Sequence, residues 1–161
     1  LQGILSNMAP ERSQEVAMAL QVGIAFDEQQ EQLNRGDFLI RELLGADQQS
    51  GGLAISDIVE EGQTIQFHLR DAKAASEELN LLLAKDRMDH QHEVPQGSLL
   101  FTCSGRGRRF FSEPNHDINV LRRQTGDIPI AGFFAAGEIG PVGGKNFIHG
   151  YTASVALFAE K

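Results

Sequence analysis

Residues 98–135 read SLLFTCSGRGRRFFSEPNHDINVLRRQTGDIPIAGFFA, and the order of elements in this stretch decides the fold. Residues 98–102 are a short apolar run of buried-strand type, closed by Cys-Ser-Gly-Arg-Gly. Residues 115–125 form a helix candidate, with Asn115 as its cap and Gly126 as its stop. Residues 128–135 are a second apolar strand. Strand, helix, strand predicts a crossover with parallel strands. Open sheets with crossover helices gather ligands at the carboxyl ends of their strands. Cys103, Ser104 and Arg106 are therefore expected at one strand end, and Gly137 and Glu138 at the other. The helix runs antiparallel to the strands and is expected to start on the opposite side. On that reading Asn115, His116 and Asp117 reach the site only if the 104–114 loop carries them there.

Downstream, residues 137–146 read as a loop holding Gly137, Gly140, Pro141, Gly143 and Gly144 together with Glu138, Lys145 and Asn146, with His149 just beyond. A loop that only reverses the chain needs one or two glycines. Four of them, with two opposite charges and an amide, suggest a backbone that approaches something closely, with polar groups placed to meet it. Residues 147–159 are a third strand candidate.

Upstream, residues 10–20 read as a helix with Pro10 in its first turn. Residues 21–26 and 38–44 are strand candidates, with a turn or loop at 29–35. Residues 52–59 and 64–69 flank Glu-Glu-Gly-Gln and predict a hairpin, with His68 on its polar, exposed face. A helix is expected from a cap at Asp71 to about residue 85, with Ala75, Leu79, Leu82 and Leu83 on one face. The polar stretch 86–96 is a connector and the candidate for an internal boundary. The whole reads as an α+β fold: a mixed parallel/antiparallel sheet with flanking helices, one crossover unit at 98–135, and a single domain over 1–161.

The 161 residues, 41% hydrophobic and 22% charged, suit one globular domain with a sizeable core. Without an initiator Met, the chain reads as a piece of a longer protein. No apolar run has the length of a membrane span. Cys103 is the only cysteine, which excludes an internal disulfide and points to a reducing, cytoplasmic setting. A formal charge of −8 argues against nucleic acid or a membrane surface as partner. Five arginines (106, 108, 109, 122 and 123) nevertheless sit close together, opposed locally only by Glu113 and Asp117. That basic island suits a small anion, or is simply solvated surface.

Gly105-Arg106-Gly107 offers backbone N–H groups and a guanidinium to a carboxylate or phosphate. It lacks the Gly-x-Gly-x-x-Gly and Lys-Ser/Thr signatures of nucleotide loops. Cys103 with His116 or His149 and Glu138 has the residue types of a nucleophile, base and orienting acid. A free cysteine after an apolar strand is more often just buried. No closely spaced His or Cys pair marks a metal site in this half, and His90 and His92 sit in the polar connector. His149, between Ile148 and Gly150, must bond a backbone carbonyl, Glu138 or a ligand if buried.

The segments Phe-Thr-Cys-Ser-Gly-Arg-Gly (101–107), Glu-Pro-Asn-His-Asp (113–117), Gly-Phe-Phe-Ala-Ala-Gly-Glu-Ile-Gly-Pro (132–141) and Asn-Phe-Ile-His-Gly-Tyr (146–151) resemble the FIST family, specifically its carboxy-terminal domain, FIST_C. Residues 36–41 and 61–71 are similar to it as well. The resemblance implies an intracellular sensory or input domain of bacterial signal transduction that binds a small metabolite, an amino acid or related anion. It carries no established enzymatic motif, so no enzymatic activity and no cofactor are expected. Haem remains the one cofactor linked to some relatives, with His116 or His149 as axial ligand. Carried over by position, the candidate ligand contacts are Cys103, Ser104, Arg106, Asn115, His116, Asp117, Glu138, Lys145, Asn146 and His149. Arg106 is expected to meet an anionic group, and Glu138 or Asp117 an amine. Expected partners are the amino-terminal FIST half or a signalling output domain. The other readings are a protein-interaction scaffold without a ligand and a cysteine-dependent hydrolase.

Overall fold

The computed structural model describes residues 9–47, 49–91 and 93–160. His92, in the polar connector, lies outside the described residues. The chain divides into two compact units, Leu1–Asp71 with Pro141–Lys145, and Ala72–Gly140 with Asn146–Lys161. The division thus falls at Asp71, and the 86–96 stretch holds the end of one helix and the start of a strand.

The first unit opens with helix α1 (Pro10–Ala19), continues into β1 (Leu20–Ala25), and adds β2 (Phe38–Ala46), β3 (Leu53–Ile55) and β4 (Ile65–Leu69). Its sheet is antiparallel, in the order β3-β2-β1-β4. Strand β1 carries Leu20, Val22 and Ile24, all buried, which is why it takes the centre and pairs on both edges. The hairpin expected across 52–69 does not form. A turn does close from Glu60 to Gln63, with Gly62 at φ 96°, but the flanking strands go to different partners. The three-residue β3 is too short to hold β4, and the apolar β1 offers β4 a better partner. His68 is half-buried rather than exposed, its ring edge-on to Phe38 at 5.0 Å. Its Nε2 finds no hydrogen bond, and burial lowers its pKa from 6.5.

The second unit runs α2 (Ala72–Asp89), β5 (Pro95–Cys103), a 3-10 turn (Ser104–Arg106), the short helix α3 (Arg108–Phe111), α4 (His116–Thr125), β6 (Ile130–Ala135), the first part of β7 (Glu138–Val142), most of β8 (Lys145–His149) and β9 (Ala153–Ala159), residues 141–145 being counted with the first unit. Strand β5 is central, parallel to β6 and antiparallel to β9. The sheet is mixed and carries the crossover expected at 98–135. Leu79 and Leu83 lie one helical turn apart on α2 and pack with Leu100, Val120 and Leu121. Each such burial stabilises by about 1.5–3 kcal/mol. Leu82, expected on the same stripe, is exposed.

The opposite face of this sheet is open. Phe101 and Phe133 stand side by side in register, rings 5.1 Å apart, with Phe133 65% and Phe158 54% exposed. At Gly132 the ladder is so tight that a Cβ would sit 1.8 Å from the Leu100 carbonyl oxygen.

The glycine-rich stretch is a hairpin, not a loop. Strands β7 and β8 are joined by Gly143 and Gly144 at φ 55° and 77°, the two positive angles of a type I′ turn. The third strand expected over 147–159 is accordingly split into the end of β8 and β9.

Candidate functional site at the carboxyl edge

The carboxyl ends of β5 and β6 hold the densest buried polar chemistry of the second unit. Beyond Cys103 the chain folds straight back through the 3-10 turn and α3, which together bring Arg106 against the start of α4. The helix therefore begins at the edge where β5 ends, not opposite it. An antiparallel crossover helix necessarily starts where its preceding strand stops.

Arg106 is 7% exposed and holds Asp117, 5% exposed, in a bidentate pair, with Nε and Nη2 each donating over 2.9 Å. A third bond reaches the Tyr151 carbonyl at 3.4 Å. Asp117 Oδ1 also meets His116 Nδ1 at 2.9 Å, and His116 Nε2 lies 2.9 Å from Ser76 Oγ on α2. Phe111 covers this group, stacked on the His116 ring at 3.6 Å and lying 5.1 Å from the Arg106 guanidinium carbon. Removing one partner from a buried ion pair costs about 3–5 kcal/mol, so the network fastens α4 to the sheet edge and to α2.

Glu138, the first residue of β7, is the contrasting element. It is 2% exposed, and its Oε2 accepts a hydrogen bond from Thr152 Oγ1 at 2.9 Å. Its Oε1 has no partner. A buried acceptor without a donor costs about 1–3 kcal/mol, and more when charged, so it calls for an explanation. The two groups meet along the chain at residues 151–152: Tyr151 receives Arg106, Thr152 donates to Glu138, and the Thr152 carbonyl accepts from the Cys103 N–H. Tyr151 sits at φ 59°, and Ser112 and Asn115 are each at φ 60°. Non-glycine residues held there cost on the order of 1–3 kcal/mol each and tend to mark functional sites.

Among the residues singled out by sequence, the edge brings together Cys103, Ser104, Arg106, His116, Asp117 and Glu138. Cys103 is buried, and the exposed Ser104 donates to the Ala135 carbonyl at 3.0 Å. Asn115 precedes α4 as expected, but it is exposed in the left-handed region with no side-chain cap bond. Gly126 does stop the helix, its N–H bonding the Arg122 carbonyl. Lys145 and Asn146 are exposed on β8, and the half-buried His149 meets the Gly140 carbonyl through Nε2 at 2.9 Å. Both nitrogens of His116 are engaged, which sets it against axial ligation of haem. Four of the five arginines in the basic island are exposed, and only Arg106 enters the site. Sequence reasoning missed Ser76, Phe111, Tyr151 and Thr152. A serine in a polar helix forty residues from its imidazole partner carries no local signal.

A mixed sheet with buried ionic groups on one carboxyl edge defines an α+β module whose polar chemistry is concentrated beside its crossover. The chain belongs to the FIST C domain family, whose model matches residues 2–141. Membership suggests a sensory domain of signal-transduction proteins. The chain is 49% identical over 160 residues to the uncharacterized protein Rv0628c of Mycobacterium tuberculosis, covering 99% of this chain and 42% of that protein. It is 45% identical over 160 residues to the uncharacterized protein Mb0898c of Mycobacterium bovis, covering 99% and 41%. It thus spans less than half the length of these curated relatives. No solved structure matches significantly. Among the described residues no helix is long and apolar enough to cross a membrane.

Proposed function

We propose that this chain is the small-ligand input part of a longer signalling protein, and that it binds a metabolite carrying an amine at the carboxyl edge of β5 and β6. Glu138 carries the reading. Its buried Oε1, without a donor, suits an ammonium or amidinium group that supplies both charge and hydrogen bond. Arg106 and Asp117 neutralise each other, so the division of labour anticipated between them passes to Glu138 for the amine, while Arg106 positions Tyr151 and Thr152 behind it. Binding shifts a conformation only through differential affinity. The strained residue Tyr151, between the two groups, is the element whose relaxation would differ between free and bound states.

The test is a thermal-melt screen against amino acids, polyamines, organic acids, phosphorylated metabolites and haem. A ligand at a hundred times its Kd adds about 2.7 kcal/mol, or about 5–10 °C. A selective shift with an amine-bearing compound that disappears in Glu138→Gln is the expected result. The second reading, a protein-interaction scaffold, rests on the open apolar face with Phe133 and Phe158. A flat screen on folded protein transfers the weight to it.

A further inference from the structure

The Ser76–His116–Asp117 chain has a property that the ligand reading does not use. Asp117 is engaged by Arg106 through both oxygens, and an ionised carboxylate only accepts hydrogen bonds. His116 Nδ1, 2.9 Å from Asp117 Oδ1, must therefore carry a proton. In the neutral ring Nε2 is then an acceptor, and Ser76 Oγ–H, 2.9 Å away, is the donor that meets it. The stack on Phe111 fixes the plane of the ring. A hydroxyl aimed at an imidazole lone pair, with the imidazole oriented by a buried carboxylate, is the arrangement of a base-activated nucleophile. Ser76 is half-buried and borders a shallow, open surface of α2 together with Lys73, Glu77, Asn80 and Leu81.

We propose that Ser76 is an acyl-accepting nucleophile for small carboxylic esters that reach it across this open face of α2. Ser76 Oγ attacks the ester carbonyl carbon as its proton passes to His116 Nε2. Lys73, one turn before Ser76 and bordering the same open surface, is the cation available to the developing oxyanion. Collapse breaks the carbon–oxygen bond to the alcohol, which leaves with the proton from Nε2. Water then gives a proton to Nε2 and its oxygen to the acyl carbon. The bond to Oγ breaks, Oγ recovers that proton, and a carboxylic acid departs. The net reaction is ester plus water to acid plus alcohol. Asp117 is a positioning residue in this scheme, because it acts only through His116.

The chain is treated with a fluorophosphonate probe and, separately, with p-nitrophenyl acetate, in wild type, Ser76→Ala and His116→Gln. General-base activation contributes about 10²–10⁴-fold. The expected outcome is a single adduct on the peptide bearing Ser76, with ester turnover at least about a hundredfold lower in both variants. Ser76→Ala removes one oxygen, and its melting curve reports whether the fold survives. Should that variant unfold, the adduct's position on the wild type decides the matter by mass spectrometry. An unlabelled wild type, an adduct elsewhere, or equal turnover in folded Ser76→Ala overturns the proposal.

Discussion

Asp117 and Glu138 are both buried carboxylates on one sheet edge, 5% and 2% exposed, yet their surroundings differ sharply. Asp117 is met by a guanidinium through two bonds and by an imidazole through a third. Glu138 has one neutral hydroxyl on one oxygen. Equal burial therefore does not imply equal role. A carboxylate whose acceptor sites are filled by its own chain holds and orients its neighbours and has no site left for a ligand. One left half-filled retains binding capacity at a standing cost in stability.

The largest effect is expected from removing the frame both acids share. Gly132→Ala forces a Cβ to 1.8 Å from the Leu100 carbonyl oxygen and must part β5 from β6. A loss of at least about 4 kcal/mol, or failure to fold, is expected in urea denaturation. Stability within 1 kcal/mol of wild type, roughly the effect of an ordinary surface change, would refute the tightness of that pair. Next, Asp117→Asn leaves Arg106 buried without its counter-charge and should cost about 3–5 kcal/mol. A cost below about 1 kcal/mol would mean that the network is dispensable.

Glu138→Gln is the counterpart that sharpens the contrast. It relieves a poorly paired buried charge while keeping an oxygen for Thr152, so the free protein should change by no more than about 1 kcal/mol, in the stabilising direction if at all. Strong destabilisation in the absence of any ligand would make Glu138 structural after all, like Asp117. The smallest effect concerns His68, in the first unit. Burial lowers its folded pKa below 6.5, so above that value both states are neutral and it contributes nothing. As pH falls through 6.5 the unfolded state takes up the proton first, and stability is lost until the folded value is passed. His90 acts in the opposite sense, its pKa raised by the hydrogen bond its Nδ1–H donates to the Asp86 carbonyl and by the charge of Asp86. That contribution is common to wild type and His68→Leu, so the difference between their melting temperatures at pH 7 and pH 5 isolates His68. The wild type should lose more on acidification, and an equal loss would contradict the shift.

Strands β5 and β6 and their parallel pairing were legible because two apolar runs flank a capped, helix-length polar segment. Arg106, His116, Asp117 and Glu138, which the structure buries at one edge, are legible as candidates because a loop rich in charge follows each strand. Their partners were not. Bidentate pairing of Arg106 with Asp117 depends on how the 3-10 turn and α3 fold back, and sequence spacing does not encode that path. The start of α4 was misplaced through an error of geometry, not a lack of signal. The pairing of β3 and β4 with different neighbours follows from competition for the apolar β1, which a turn motif at Glu60–Gln63 cannot reveal. In sequence Gly143 and Gly144 suggest a close backbone approach, whereas their positive φ angles make a hairpin turn.

The order of strands in the second unit also sets a clock. Leu99 pairs with Ala131 on one side and Ala156 on the other, so central β5 recruits both neighbours from sequence that follows it. At a synthesis rate of about 5–20 residues per second, β5 emerges roughly 3–11 s before β9. During that interval an apolar strand stands with an unpaired edge on a growing chain, which makes the arrival of β9 the step at which a nascent chain either closes this sheet edge or engages a chaperone.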